Sequence, residues 1–120
     1  MPASRILLVD DNPDQLATLS FLIRDLGHHV ETATNGSIAI EVARRLRPDI
    51  AFIDLGLPVM NGHQVARALR TEFPAIRLYA ITGSGRFDDY ERSIFAGFDD
   101  HLTKPVAFQY IKSLLGSRIV

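Results

Sequence analysis

The alternation of short apolar runs with longer amphipathic segments is the feature that most constrains the fold of this chain. The short runs have the length and composition of buried strands, whereas apolar residues in the segments between them recur at the three- and four-residue spacings of a helix. Strands that alternate with helices in this way favour a parallel sheet covered by helices on both faces. We therefore predict an α/β fold, an open doubly wound sheet built from five strand and helix units.

Capping and turn residues set the boundaries of these units. Asn12 and Pro13 mark the start of the first helix, because asparagine caps helices and proline is tolerated in the first turn, and Gly27 ends it. The strand at 29–33 is the most polar and is predicted to lie at an edge of the sheet. The predicted strands are residues 5–9, 29–33, 50–53, 77–81 and 100–103, and the later helices cover about 35–46, 63–72, 87–96 and a final segment with Phe108, Ile111 and Leu115.

Length and composition predict a single domain over residues 1–120, without an output domain. With 120 residues, of which 47% are hydrophobic, the chain can bury a core, and the absence of cysteine excludes a disulfide scaffold. No apolar stretch approaches the roughly 20 residues that a membrane span needs, so we expect a cytoplasmic protein without membrane contact.

The charge balance argues against direct binding of nucleic acid. Thirteen Lys and Arg residues face fourteen Asp and Glu residues, and the chain lacks the basic block that a phosphate backbone attracts. Arg44, Arg45 and Arg47 form the densest basic cluster, which we interpret as a solvated helix end.

Polar residues stand directly after the apolar runs of four predicted strands. Asp10 and Asp11 follow the first strand, Asp54 the third, Thr82 the fourth and Lys104 the fifth. In open parallel sheets, ligands bind beyond the carboxyl ends of the strands, where these ends meet. We therefore expect these five residues to converge on one site.

Three carboxylates at one site repel one another, so the site must hold a proton, pair with Lys104 or bind a hard cation. Magnesium fits best because it takes carboxylate oxygens and retains water, whereas zinc would need thiolates or convergent histidines that this chain lacks. A cation, a lysine and a hydroxyl around one carboxylate suit phosphoryl transfer, with the carboxylate as nucleophile.

These residues resemble the receiver domain of two-component response regulators. The resemblance covers the whole chain and rests on Asp10-Asp11, on Asp54 before the segment 56–62, on Thr82-Gly83 and on Lys104-Pro105, in that order at the expected strand ends. It implies a flavodoxin-like (βα)5 fold with a five-stranded parallel sheet in the order 2-1-3-4-5.

The resemblance also implies a role for each site residue. Asp54 would accept a phosphoryl group from a phosphohistidine of a sensor histidine kinase or a histidine phosphotransfer protein. Asp11, Asp54 and the backbone carbonyl of Gly56 would ligate Mg2+, and Asp10 would act largely through water.

Two further residues would then contact the phosphoryl group. Thr82 would hydrogen-bond one of its oxygens, Lys104 would pair with its charge, and the Lys104–Pro105 peptide bond would be cis. Such a domain is not a classical enzyme, although it catalyses its own aspartyl phosphorylation and dephosphorylation.

The chain departs from the family pattern at His101, where many receivers carry a tyrosine or phenylalanine that rotates on phosphorylation. We hypothesise that His101 is the rotating group; a strand histidine without a signalling role is an equally good interpretation. In this family the positions of Gly56 and Ser84 shape water access to the phosphorylated aspartate. Both residues are small here, so the phosphoryl group is expected to be neither strongly shielded nor held for very long.

Segments 80–85 and 96–106 look most like receivers of hybrid sensor kinases, and a stand-alone receiver is the other possibility. Output would arise from a shifted equilibrium at the surface formed by the fourth predicted helix, the fifth strand and the last helix. That surface would contact an unidentified downstream protein near Phe87, Tyr90, His101 and Tyr110.

Three competing interpretations place other functions on similar residues. A flavin-binding protein of this fold would need a phosphate loop after the first strand, where Asp10 and Asp11 repel an anionic cofactor. A dehalogenase-type phosphatase would carry an Asp-x-Asp pair there. The third alternative is a receiver-like interaction module that is never phosphorylated, which the complete acidic set disfavours.

Overall fold

The computed structural model describes residues 3–57, 59–83 and 97–116. In this part of the chain, five parallel strands form one sheet in the order β2-β1-β3-β4-β5, which confirms the predicted fold class and strand order. The predicted helix at 87–96 lies outside the described residues. The strands are β1 (Arg5–Val9), β2 (His29–Ala33), β3 (Ile50–Asp54), β4 (Arg77–Thr82) and β5 (Asp100–Thr103), and the helices are α1 (Pro13–Asp25), α2 (Gly36–Leu46), α3 (Gly62–Glu72) and α4 (Phe108–Gly116).

Two strands are one residue longer than the apolar pattern predicts. Asp54 pairs with Ile81 in the ladder between β3 and β4, and Thr82 pairs with Thr103 between β4 and β5. The prediction that both polar residues follow their strands was therefore wrong by one position, because strand pairing depends on the backbone and continues through a polar side chain. β2 lies at an edge, as predicted.

The core is divided by the sheet into two apolar layers. Successive strand residues point to opposite faces, so Leu7 packs into the layer under α2 and α3, whereas Ile6 packs into the layer under α1 and α4. β3 is buried at all five positions, which explains why its sequence reads as a continuous apolar run and not as an alternation.

Side-chain caps fix where the helices begin next to the strand ends. Asn12 Oδ1 accepts hydrogen bonds from the first-turn amides of α1, and Pro13 occupies the first helical position. At α3, Asn61 and Gln64 form a reciprocal capping box with both hydrogen bonds at 3.0 Å. None of the four described helices combines the length and apolar content needed to cross a bilayer.

Arg70 of α3 ties this helix to the segment that leads into β5. Its guanidinium donates four hydrogen bonds, to the carbonyls of Pro74 (3.0 Å), Ile76 (2.6 Å) and Gly97 (2.7 Å) and to Asp99 Oδ2 (3.1 Å). One side chain thus satisfies carbonyl groups on two segments that would otherwise have to be paired with water or other donors.

Replacing Arg70 with alanine should therefore lower the free energy of unfolding by about 2 kcal/mol, since several hydrogen bonds to a charged donor are lost together. Urea unfolding monitored by circular dichroism measures this change. Arg67 lies on the same helix, is exposed and makes none of these contacts, so Arg67→Ala is the matched control and should stay within about 0.5 kcal/mol of wild type. Equal effects of the two substitutions would contradict the role given to Arg70.

Candidate functional site

The carboxyl ends of β1, β3 and β5 bring four predicted site residues together. Carboxylate oxygens of Asp10, Asp11 and Asp54 all lie within 4.8 Å of one another. Lys104 Nζ lies 3.1 Å from Asp54 Oδ2 and 4.0 Å from Asp10 Oδ2. Four of the five residues expected to converge therefore lie close together.

Burial differs among the three carboxylates. Asp10 and Asp54 are each 5% exposed, whereas Asp11 is exposed. The site therefore has two carboxylates at its base and one at its mouth, and an ion or phosphoryl group can approach from the side of Asp11.

Asp54 is held by a donor on each carboxylate oxygen. The backbone N–H of Gly56 donates to Oδ1 at 2.9 Å, and Lys104 donates to Oδ2 at 3.1 Å. Gly62 lies close behind, because a Cβ at that position would come within 2.5 Å of the Asp54 carbonyl oxygen. The sequence analysis placed Gly62 in a loop and so missed this close packing. The available signal was the presence of a glycine at the start of a helix.

Burial and neighbouring charge perturb the protonation of two site residues. Burial raises the pKa of Asp10, and the negative charge of Asp54 raises it further, against the opposing effect of the hydrogen bond from the Asn12 N–H. Burial alone would lower the pKa of Lys104, but the hydrogen bond to Asp54 and the surrounding carboxylates outweigh it and raise that pKa. Lys104 therefore stays protonated as the fixed positive charge of the site.

Thr82 ends β4, the strand next to Asp54, and is buried. Its carbonyl oxygen accepts the backbone N–H of Lys104 at 2.8 Å, which ties the lysine to the central part of the sheet. The Lys104–Pro105 peptide bond is cis, as the resemblance implies. The contact of the Thr82 hydroxyl with a phosphoryl oxygen stays a prediction.

Other predicted residues are only partly covered by the structure. His101 is half-buried on β5, opposite Ala80, and its role as the rotating group stays a prediction. Gly56 is exposed beside Asp54, and the expected short lifetime of the phosphoryl group also stays a prediction. Ser84, Phe87 and Tyr90 lie outside the described residues.

Val59, between β3 and α3, has a strained backbone conformation that the sequence did not predict. Its φ of 66° places a β-branched residue in the left-handed region, and its side chain is fully exposed. With Ile38 and Met60 it borders a groove of about 370 Å³. No sequence pattern signals this feature, because valine disfavours the conformation.

Comparison with known proteins decides the family. The family model for the response regulator receiver domain matches residues 6–115 of this chain. The chain belongs to the response-regulator receiver family. Receivers of this family interact with histidine kinases or phosphotransfer proteins and use Mg2+ at their acidic pocket.

Three similar proteins illustrate the range of this family. The probable transcriptional regulatory protein TcrX of Mycobacterium tuberculosis is 37% identical over 88% of this receiver, which spans 45% of that protein's length. PilH of Pseudomonas aeruginosa is 35% identical over 86% of the receiver and 87% of its own length. A crystal structure of a response regulator from Burkholderia pseudomallei, with a phosphorylated aspartic acid and a calcium ion, has a TM-score of 0.87 at 25% identity, covering 93% of this receiver and 66% of that chain.

The raised pKa of Asp10 leads to a prediction about stability in the absence of divalent ions. The folded receiver binds the Asp10 proton more tightly than the unfolded chain, so the ionised carboxyl destabilises the fold at neutral pH. Asp10→Asn keeps an oxygen that can accept the Asn12 N–H and should raise the free energy of unfolding near pH 7 by about 1 kcal/mol.

Urea unfolding in EDTA at several pH values measures this gain, which should shrink as the pH falls toward the ordinary aspartate pKa of 3.8. Asp25 is exposed at the far end of α1, so Asp25→Asn is the control and should change stability by less than about 0.5 kcal/mol. Destabilisation by Asp10→Asn, or a gain that grows at low pH, would contradict this electrostatic account.

Proposed function

We propose that this receiver accepts a phosphoryl group on Asp54 from the phosphohistidine of a histidine kinase or phosphotransfer protein, and that phosphorylation changes its contacts with a downstream protein. The observation that carries the proposal is the position of Lys104, whose ammonium group lies 3.1 Å from Asp54 in a cluster of three carboxylates. The likeness to a response regulator whose structure contains a phosphorylated aspartic acid supports it.

The transfer makes one bond and breaks one bond. A carboxylate oxygen of Asp54 attacks the phosphorus, the P–N bond to the donor imidazole breaks, and the imidazole nitrogen keeps the electron pair. The protonated Lys104 can pair with the negative charge on one phosphoryl oxygen. We assign to the Thr82 hydroxyl a hydrogen bond with a second oxygen. Because Lys104 is already held beside Asp54 before the reaction, it can stabilise the transferring group with little reorganisation.

The acidic cluster fits a hard divalent ion. Asp10, Asp11 and Asp54 supply carboxylate oxygens close enough to share one ion, and we assign the Gly56 carbonyl as a further ligand. Bound Mg2+ supplies positive charge that neutralises the phosphoryl oxygens and relieves the repulsion among the carboxylates. The exposed position of Asp11 leaves room for the waters that Mg2+ retains.

Signal output is assigned to the face that includes β5 and α4. Tyr110 of α4 is 43% exposed and donates to Asp100 Oδ2 at 3.1 Å, so this aromatic residue is available to a partner. His101 lies on the neighbouring strand. The partner is a protein, and we assign the receiver to the cytoplasm without direct contact with nucleic acid or membrane.

Incubation with acetyl phosphate and Mg2+ should add a single phosphoryl group, because a small phosphoryl donor can reach Asp54 without a kinase. Intact-mass spectrometry measures the adduct, which Asp54→Asn should lose completely. Asp25→Asn removes a carboxylate far from the site and should retain the adduct. Failure of the wild-type receiver to form the adduct would favour an interaction module that is never phosphorylated.

Titration calorimetry with Mg2+ tests the ligand assignment separately. Asp11→Asn should weaken Mg2+ binding at least about tenfold, since a charged oxygen ligand at the mouth of the site is replaced by a neutral one. Asp25→Asn should bind Mg2+ with the wild-type affinity. Equal affinities of Asp11→Asn and wild type would remove Asp11 from the ligand set.

A further inference from the structure

A cavity lies at the amino-terminal ends of the strands, on the side of the sheet opposite to the carboxyl ends that carry the acidic site. It has a volume of about 450 Å³ and is bordered by the first residues of β1 and β4 and by the segments that follow α2 and α3. Sites for small molecules occupy roughly 300–1,000 Å³, so this volume suits a ligand and not only a bare ion. We call it the arginine cavity, after three of its lining residues, Arg5, Arg47 and Arg77.

The two carboxylates that line the arginine cavity are already neutralised. Asp49 Oδ2 accepts the backbone N–H of Arg5 at 2.8 Å, and the side chains of these residues pair at 3.7 Å. Both oxygens of Glu72 accept hydrogen bonds from Arg44, at distances of 2.6–3.1 Å. Neither carboxylate is therefore free to balance the other two arginines.

Those two arginines form no ion pair within the described part of the chain. Arg77 Nη2 is buried and finds no hydrogen-bond acceptor among residues 3–57, 59–83 and 97–116. Arg77 also lines the cavity, and no carboxylate of the described residues pairs with its charge, so an anion held in the cavity would be attracted to it. The guanidinium carbon of Arg47 lies 6.0 Å from the ring centroid of Phe73, which keeps its charge at the cavity wall.

The backbone of Arg47 is a second, independent observation. This residue follows α2 with a φ of 53°, the left-handed conformation in which helices usually end on glycine. An arginine there costs stability, and strain of this kind concentrates at functional positions. An arginine thus occupies a position where glycine would adopt the observed backbone conformation with less strain.

We propose that the arginine cavity binds a phosphate group, carried by a small molecule of about nucleotide size. Guanidinium groups recognise phosphate oxygens through charge-assisted hydrogen bonds, and Arg47 and Arg77 both line this cavity. Phe73 and Pro74 provide an apolar wall for the organic part of the ligand. Because this cavity and the acidic site lie at opposite edges of the sheet, the proposal does not depend on phosphorylation of Asp54.

Titration calorimetry in Mg2+-free, low-salt buffer tests the proposal with three probes, AMP, inorganic phosphate and adenosine. AMP should bind saturably and more weakly as salt is added, whereas adenosine, which lacks the phosphate, should not bind. If AMP binds more tightly than inorganic phosphate, the natural ligand is a phosphorylated small molecule. If the two bind equally, the ligand is free phosphate. Both results support a phosphate site.

Two variants and one control locate the binding. Arg77→Gln and Arg47→Gly should each weaken AMP binding about tenfold, the effect of losing one charge-assisted contact. Arg47→Gly should also leave the melting temperature unchanged or raise it, since glycine adopts positive φ without strain. Arg67→Gln removes an exposed arginine outside the cavity and should bind AMP within about twofold of wild type.

Absence of saturable binding by the wild-type receiver up to about 10 mM AMP and phosphate, an affinity too weak for a built site, would overturn the proposal. Undiminished binding by both Arg77→Gln and Arg47→Gly would overturn it as well. Acceptance of phosphoryl groups from acetyl phosphate serves as a check that each variant is folded, because none of these arginines contacts the acidic site.

Discussion

The ion pair between Lys104 and Asp54 is the interaction on which the acidic site depends. Two nearly buried carboxylates and a third at the mouth of the site would repel one another strongly, and Lys104 Nζ, 3.1 Å from Asp54, is the positive charge among them. The pair spans two positions of the sheet, from the end of β3 to the residue after β5. Strand order and parallel direction must therefore both be correct for the carboxylates to be tolerated.

The residues that converge were predictable because topology fixes them. In a parallel doubly wound sheet every strand ends at the same edge, so Asp10, Asp54 and Lys104 had to meet once the strands were located. The apolar runs located those strands to within one residue. The errors at Asp54 and Thr82 arose because side-chain hydrophobicity predicts burial, whereas the strand ladder is a property of the backbone.

Features that depend on contacts between distant residues could not be predicted in this way. Arg70 reaches the carbonyl of Gly97, 27 residues away, and no local periodicity indicates which arginine on α3 makes such a bond. The left-handed backbone of Val59 and Arg47 runs against the preference of both residue types, so propensity argues for the wrong conformation. The arginines at the end of α2 were interpreted from sequence as a solvated helix end. The structure shows that one of them, Arg47, lies near the ring of Phe73 and lines a cavity.

A crystal structure of the receiver with Mg2+ and beryllofluoride, a phosphoryl mimic, tests the central claim most directly. The account predicts beryllofluoride on a carboxylate oxygen of Asp54, with Lys104 Nζ and the Thr82 hydroxyl each within about 3 Å of a fluorine atom. It also predicts Mg2+ among the oxygens of Asp10, Asp11 and Asp54. Beryllofluoride on a different carboxylate, or a Lys104 side chain turned away from the mimic, would contradict it.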